Sequence, residues 1–121
     1  MRVLIVDDHG MMRQGLSQLL NSTGDMQVVG LAADGREALQ FCAEYVPDVV
    51  LMDVMMPEMD GLTATSLIHQ LQSNIKIILF SARNDEASVQ AAYRAGADGF
   101  LAKDVPTEEI LTTLRAVCGN G

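Results

Sequence analysis

Short apolar runs alternate with segments of helical periodicity along the whole chain, and this alternation restricts the possible folds more than any other feature. The apolar runs fall at residues 3–6, 27–32, 49–52, 75–80 and 99–102, of which the second and fifth are weaker. Runs that are apolar at almost every position are typical of strands buried on both faces of a parallel sheet. Five such strands alternating with five helices predict an α/β fold with right-handed crossovers.

The segments between the runs carry apolar residues at helical spacing. These positions include Leu16 and Leu20, Ala38 and Cys42, Ala64 and Ile68, Val89 and Ala92, and Ile110 and Leu114. Two prolines mark helix boundaries. We expect Pro47 to stop the second helix before the third strand, and Pro106 to lie in the first turn of the last helix.

Composition and charge indicate the class of protein and exclude some partners. The chain has 121 residues, of which 49% are hydrophobic and 20% charged, and this predicts one globular domain. Because the net charge is −8, we expect no direct binding to nucleic acid or to an anionic membrane. Cys42 and Cys118 lack metal-ligand spacing and no secretory leader opens the sequence, so we expect core thiols and a cytoplasmic location.

Polar or charged side chains follow four of the five predicted strands. Asp7 and Asp8 come after the first, Asp53 after the third, Ser81 after the fourth and Lys103 after the fifth. Ligands of open α/β sheets bind beyond the carboxyl ends of the strands, so these residues are candidates for a common site. Each alone is compatible with helix capping, but the combination favours a site.

The residue types at this edge favour phosphoryl chemistry. Three converging carboxylates repel each other unless a cation lies among them, and an all-oxygen set suits Mg²⁺ or Mn²⁺. An ammonium group from Lys103 and a hydroxyl from Ser81 would then bind phosphoryl oxygens. One carboxylate could act as the nucleophile and form an aspartyl phosphate. Because Mg²⁺ rarely binds imidazole, we expect His9 to have a positioning or solvent-facing role.

Two other classes of function fit the sequence poorly. A nucleotide-binding or flavin-binding module of this architecture needs a glycine-rich first turn, whereas residues 7–10 are Asp-Asp-His-Gly. A phosphohydrolase with an aspartate nucleophile needs a second acid, and none follows Asp53 before Glu58. We therefore expect no sustained turnover of small phosphoesters, and we expect any catalysis to be limited to the protein's own phosphorylation and dephosphorylation.

Four stretches carry a resemblance to the receiver domains of two-component response regulators. They are Val6-Asp7-Asp8, residues 53–62, Ser81-Ala82, and residues 95–103, which end in Lys103. The resemblance covers residues 1–121 and implies a flavodoxin-like (CheY-like) three-layer sandwich. Its five-stranded parallel sheet would have the order 2-1-3-4-5 and be packed with five helices.

The resemblance also implies roles for individual residues at the metal. Asp53 would accept a phosphoryl group from a sensor histidine kinase in a reaction that depends on Mg²⁺ or Mn²⁺. Asp8 and Asp53 would bind the metal directly, Asp7 would do so closely or through water, and Met55 would supply its backbone carbonyl.

The same resemblance implies a switch. Ser81 and Lys103 would bind the phosphoryl group, and Ser81 would act with Phe100 in the conformational response. Many receivers have Tyr where this chain has Phe100, so the response here can involve packing only. Many also have Pro after the lysine, whereas Asp104 follows here, and we expect a trans peptide bond at that point.

Further features are similar to those of NarL/FixJ-type receivers. They are His9, residues 13–16, residues 28–30 and Lys103-Asp104. Such receivers precede a LuxR-type helix-turn-helix, which these residues do not contain, so DNA binding would need a C-terminal domain. Control of transcription through that domain and a stand-alone receiver acting by protein contact both remain open. A phosphorylation-favoured homodimer is a further expectation, through a patch that includes Tyr93 and Ala97 or through the first and fifth helices.

Overall fold

A computed structural model describes residues 1–119 as five strands and five helices in strict alternation. The strands are β1 (Arg2–Val6), β2 (Gln27–Ala32), β3 (Val49–Asp53), β4 (Lys76–Ser81) and β5 (Gly99–Ala102). The helices are α1 (Gly10–Asn21), α2 (Gly35–Tyr45), α3 (Gly61–Leu71), α4 (Glu86–Ala95) and α5 (Thr107–Val117). The predicted strands are all present, and their ends shift by at most one residue.

The sheet is parallel throughout, with the order β2-β1-β3-β4-β5. This confirms the predicted flavodoxin-like order. The chain passes from β1 outward to β2 and then returns to the other side of β1 with β3, so the strand order reverses between β1 and β3. Such a reversal leaves a crevice beyond the carboxyl ends of the two strands.

The register of the strands determines which side chains meet in this crevice. The last register pair of β1 and β3 lies one residue before Asp7 and Asp53, so these two residues leave the sheet side by side. The last register pair of β4 and β5 includes Ser81, and Lys103 comes one residue after its partner. The backbone pairing alone therefore brings the ends of β1, β3, β4 and β5 to one edge.

The sheet separates two hydrophobic cores. On one face, α1 and α5 contribute Leu16, Leu20 and Leu114. On the other face, α2, α3 and α4 contribute Ala38, Cys42, Ala64, Ile68 and Ala92. Because side chains alternate along a strand, β1 and β3 feed both cores, and both strands are buried apart from Arg2. The apolar runs at residues 3–6 and 49–52 thus lie in two of the three inner strands of the sheet.

Helix ends are fixed by groups that satisfy free backbone positions. Asp34, Asp60 and Asp85 accept hydrogen bonds at the amino ends of α2, α3 and α4. Helix α2 ends at Tyr45, two residues before Pro47, as expected. The expectation for Pro106 is wrong by one residue. Its backbone is extended and its carbonyl accepts a hydrogen bond from the Glu109 amide, so it is the capping residue just before α5.

The remaining sequence expectations on the fold have mixed outcomes. Cys42 is fully buried, and burial raises the pKa of its thiol to about 12, which confirms its core role. The peptide bond from Lys103 to Asp104 is trans, as expected. Ala97 is only 8% exposed because the chain turns inward after the left-handed Gly96, so Ala97 cannot belong to a surface patch with Tyr93. Among residues 1–119, no helix is both long enough and apolar enough to span a bilayer.

Gly61 lets α3 begin directly against the end of β3. Its amide donates a hydrogen bond to the Val54 carbonyl at 2.8 Å. A β-carbon at Gly61 would overlap the Asp53 carbonyl oxygen and lie 2.9 Å from the Val54 α-carbon. Since both neighbours are backbone atoms of the crevice, neither can rotate away, and only glycine fits.

This close approach predicts the effect of Gly61→Ala. We expect the free energy of unfolding to fall by at least about 2 kcal/mol, because the added methyl group forces α3 away from β3. Urea denaturation followed by circular dichroism measures the change. Gly15→Ala is the matched control, since Gly15 lies in α1 with no atom within 4 Å of the added carbon, and we expect it to be neutral or stabilising. Equal losses in the two variants would contradict the packing argument.

Candidate phosphoacceptor site

Asp53 and Lys103 form the central contact at the carboxyl edge of the sheet. The Lys103 ammonium donates a hydrogen bond to Asp53 Oδ2 at 2.9 Å. The other oxygen, Asp53 Oδ1, accepts from the Met55 amide at 3.2 Å. Asp53 is only 2% exposed, so this carboxylate is held at a defined position by one charged and one neutral donor.

Asp7 contributes a second buried carboxylate. Its Oδ1 accepts a hydrogen bond from the His9 amide at 2.8 Å. Its Oδ2 has no hydrogen-bond partner among residues 1–119, although the Lys103 ammonium is 3.5 Å away. At that distance the ammonium offers charge attraction without a formed hydrogen bond. A buried carboxylate oxygen without a hydrogen-bond donor is unusual in a folded protein.

Asp8 and His9 close the solvent side of the site. Both residues are exposed, and the His9 side chain is 68% accessible. His9 Nδ1 lies 3.0 Å from Asp7 Oδ1 and 3.2 Å from Asp8 Oδ1. One ring nitrogen therefore faces two carboxylates. The sequence suggested a positioning or solvent-facing role for His9 but not this double contact.

The Phe80 ring lies under the Lys103 ammonium, and the sequence analysis did not identify Phe80 as a residue of the site. The Lys103 ammonium lies 5.3 Å from the centre of the Phe80 ring, within the range of a cation–π contact. Phe80 precedes Ser81 on β4, and β4 separates the strands that carry Asp53 and Lys103. The lysine side chain therefore crosses the end of β4 over an aromatic surface. A bulky apolar residue one position before the serine was the available signal.

Burial and charge act in opposite directions on the central pair. Burial raises the pKa of Asp53, and the hydrogen bond and charge of Lys103 offset only part of that rise. Burial lowers the pKa of Lys103, but its contacts with Asp53 and Asp7 outweigh this, and the pKa is raised. The ammonium is therefore charged at neutral pH, and it is the cation that compensates the buried acids.

Among the described residues, the side chains of Ser81, Phe100 and Met55 make no hydrogen bond to the central pair. The Ser81 hydroxyl oxygen accepts a hydrogen bond from the Arg83 amide at 3.0 Å, and the Ser81 carbonyl accepts one from the Lys103 amide at 2.9 Å. Phe100 is half-buried and shares with Ser81 the lining of a cavity of about 270 Å³. The Met55 side chain is exposed, while its amide contacts Asp53.

The acidic cluster differs from the other acids at the sheet ends. At the opposite edge, Asp48 and Asp98 accept hydrogen bonds from strand amides at 2.7 and 2.9 Å. Asp7, Asp8 and Asp53 instead place carboxylate oxygens within 4.8 Å of one another. Such a cluster of hard oxygen donors around an unpartnered carboxylate oxygen fits a divalent cation.

Comparison with known proteins identifies the family. The family model described as the response regulator receiver domain matches residues 3–115. The chain therefore belongs to the family of response regulator receiver domains, which are regulatory domains. This confirms the family that the sequence motifs indicated.

Three relatives illustrate the similarity. Oxygen regulatory protein NreC of Staphylococcus aureus is 43% identical over 118 residues, which are 97% of this chain and 54% of NreC. The receiver domain of NarL from Mycobacterium tuberculosis is 35% identical, with a TM-score of 0.93 and coverage of 99% of this chain and 97% of that one. A chain of the CheX–CheY–BeF3–Mg²⁺ complex from Borrelia burgdorferi is 34% identical, with a TM-score of 0.89 and coverage of 96% and 87%.

The similarity to NreC and to the NarL receiver confirms the predicted NarL-type character of this receiver. The chain spans about half the length of the curated relative NreC.

The mutual repulsion of the three carboxylates predicts the effect of Asp8→Asn. We expect the free energy of unfolding of this variant to rise by about 0.5–1 kcal/mol, because one of three clustered charges is removed. The measurement is made at low ionic strength with a chelator present, so that no metal ion offsets the repulsion. Urea denaturation at low and high salt measures the gain, which should shrink at high salt.

Glu44→Gln is the matched control for this prediction. Glu44 is an exposed residue of α2, so its substitution removes the same charge outside the cluster. An equal gain in both variants would attribute the effect to the net charge of −8 rather than to the cluster.

Proposed function

We propose that this receiver domain accepts a phosphoryl group on Asp53 from a sensor histidine kinase and thereby controls a DNA-binding transcriptional output. The observation that carries the proposal is the buried Asp53 carboxylate, fixed by Lys103 at 2.9 Å beside the acids Asp7 and Asp8. Membership of the receiver family supports the same function.

The proposed reaction forms one bond and breaks one. A carboxylate oxygen of Asp53 attacks the phosphorus atom, and the bond from phosphorus to the donor's imidazole nitrogen breaks, with its electron pair leaving on that nitrogen. Lys103 then pairs with phosphoryl oxygens in place of the free carboxylate. Ser81 can donate its hydroxyl proton, since in the present structure its oxygen only accepts a hydrogen bond.

A divalent cation, Mg²⁺ or Mn²⁺, belongs to the proposal. Asp8 and Asp53 would hold it directly, Asp7 closely or through water, and Met55 through its carbonyl. When bound, the ion supplies positive charge that neutralises the phosphoryl oxygens. The related CheX–CheY complex contains Mg²⁺ and BeF3, which supports a metal and a phosphoryl-like group at this kind of site.

The proposed switch connects Asp53 to the surface formed by α4, β5 and α5. A phosphoryl group would draw the Ser81 hydroxyl inward, and Ser81 is joined to Lys103 by a backbone hydrogen bond of 2.9 Å. Phe100 borders the same cavity as Ser81, so movement at Ser81 changes the space available to its ring. Packing of Phe100 would then alter the outer surface.

The output and location complete the proposal. NreC is named as an oxygen regulatory protein and extends well beyond the matched region, which supports a further domain outside residues 1–121, and we propose that this domain binds DNA. A stand-alone receiver acting by protein contact is the alternative. We also propose that this domain is cytoplasmic, and the free thiols of Cys42 and Cys118 support that location.

The phosphorylation proposal is tested by intact-mass measurement after treatment with acetyl phosphate and Mg²⁺. We expect one added phosphate in the wild type and in Glu44→Gln, lost on treatment with hydroxylamine as an acyl phosphate should be. Asp53→Ala should gain none. Labelling of Asp53→Ala at the wild-type rate would refute the assignment of Asp53.

The switch proposal predicts self-association that depends on the phosphorylated state. Because the net charge of −8 makes protomers repel each other, we expect a weak homodimer that a beryllofluoride phosphate mimic strengthens. Analytical ultracentrifugation with and without the mimic measures this, and Asp53→Ala should not respond. A tight dimer of equal affinity in both conditions would rule out coupling between Asp53 and association.

A further inference from the structure

The imidazole of His9 occupies an unusual position at the start of α1. His9 is the capping residue of this helix, yet its side chain makes no capping hydrogen bond. The caps of α2, α3 and α4 are aspartates whose side chains do bind the helix amides. The His9 ring is therefore free of a helix-capping role and turns toward the acidic cluster.

The position of His9 Nδ1 matches that of a metal ligand. The nitrogen is 3.0 Å from Asp7 Oδ1, which is a hydrogen-bonded contact, and 3.2 Å from Asp8 Oδ1. Neighbouring ligands at about 2.1 Å from an octahedral ion are about 3 Å apart, so both spacings suit a shared ion. Together with Asp53, these residues can bring one ligand atom each within 4.8 Å of one another.

A second, independent observation points to an absent cation. The Asp7 side chain is fully buried, and its Oδ2 atom has no hydrogen-bond donor. Lys103, the nearest cation, is 3.5 Å from that atom and gives its hydrogen bond to Asp53 instead. Asp7 thus keeps one buried oxygen that receives charge attraction from Lys103 but no hydrogen bond, while its other oxygen faces His9.

We propose that His9 adds a nitrogen ligand to this cluster and so raises its affinity for nitrogen-preferring transition metals such as Co²⁺ and Zn²⁺, while its affinity for Mg²⁺ stays nearly the same. The inference rests on the metal site of the proposed function. Oxygen ligands suit Mg²⁺, whereas imidazole suits the later divalent metals, so His9 changes the affinity for one class and not the other. The exposed His9 ring and the partly exposed Asp8 leave the ion a path from solvent.

The alternative is that His9 only donates a hydrogen bond to the carboxylates. In that case a metal has to displace the ring, and removing the ring should strengthen metal binding. A ligand and a competing donor therefore predict opposite changes in affinity for Co²⁺ and Zn²⁺.

Isothermal titration calorimetry with MgCl2, CoCl2 and ZnCl2 separates these cases. For His9→Ala we expect affinity for Co²⁺ and Zn²⁺ to fall about tenfold or more, and affinity for Mg²⁺ to change less than about threefold. His9→Gln should also lose affinity for Co²⁺ and Zn²⁺, since its amide offers a hydrogen-bond donor and a hard oxygen but no nitrogen ligand. His69→Ala is the control, because His69 lies in the last turn of α3 at the opposite edge of the sheet.

Proton NMR of the Co²⁺-loaded protein gives an independent readout. A directly bound ring should show strongly shifted imidazole resonances that vanish in His9→Ala and persist in His69→Ala. Unchanged or increased Co²⁺ affinity in His9→Ala would overturn the inference.

Asp8→Ala distinguishes this inference from the proposed function. We expect it to weaken binding of all three metals, because a ligand and a charge are lost. If Asp8→Ala weakens them all and His9→Ala weakens none, only the role of His9 is wrong. If Asp8→Ala weakens none, the proposed metal site itself is wrong.

Discussion

The ion pair between Lys103 and Asp53 allows three carboxylates to share one edge of the sheet. A buried charge without a partner costs several kcal/mol, and here Asp7 and Asp53 are both buried. Among the described residues, the only ammonium in contact with them is that of Lys103. This residue follows β5, which lies two strands away from β3. The lysine reaches them because the end of β4 offers the flat face of Phe80 to its side chain. The site therefore depends on the order of three strands as well as on its own residues.

The fold was predictable because its signal is spread over many residues. Residues 3–6 and 49–52 are wholly apolar, and both lie in the inner strands that are covered on two faces. The weaker run at residues 27–32 lies at an edge, where Leu31 is exposed. Periodicity records such differences in burial directly. The strand order itself was implied by the family resemblance, since periodicity does not indicate which strands are neighbours.

The candidate site was predictable only as a set of residue types at strand ends. Parallel strands deliver their last side chains to one edge, so the gathering of Asp7, Asp53 and Lys103 followed from sequence position. The contacts of Phe80 and His9 did not follow, because they depend on register across strands and on side-chain torsions. Ala97 was misjudged for a related reason, since its burial is set by the left-handed turn at Gly96.

Lys103 links the two halves of the proposed mechanism through different atoms. Its ammonium contacts Asp53, while its backbone amide donates to the carbonyl of Ser81. The Phe80 carbonyl in turn accepts from the amide of Val54, the residue after Asp53. The ends of β3, β4 and β5 are thus connected by hydrogen bonds that run through the Phe80-Ser81 segment. In the proposed mechanism, a charge added at Asp53 would act on the lysine side chain and on this backbone chain together, and the response would reach Phe100 without needing a flexible loop.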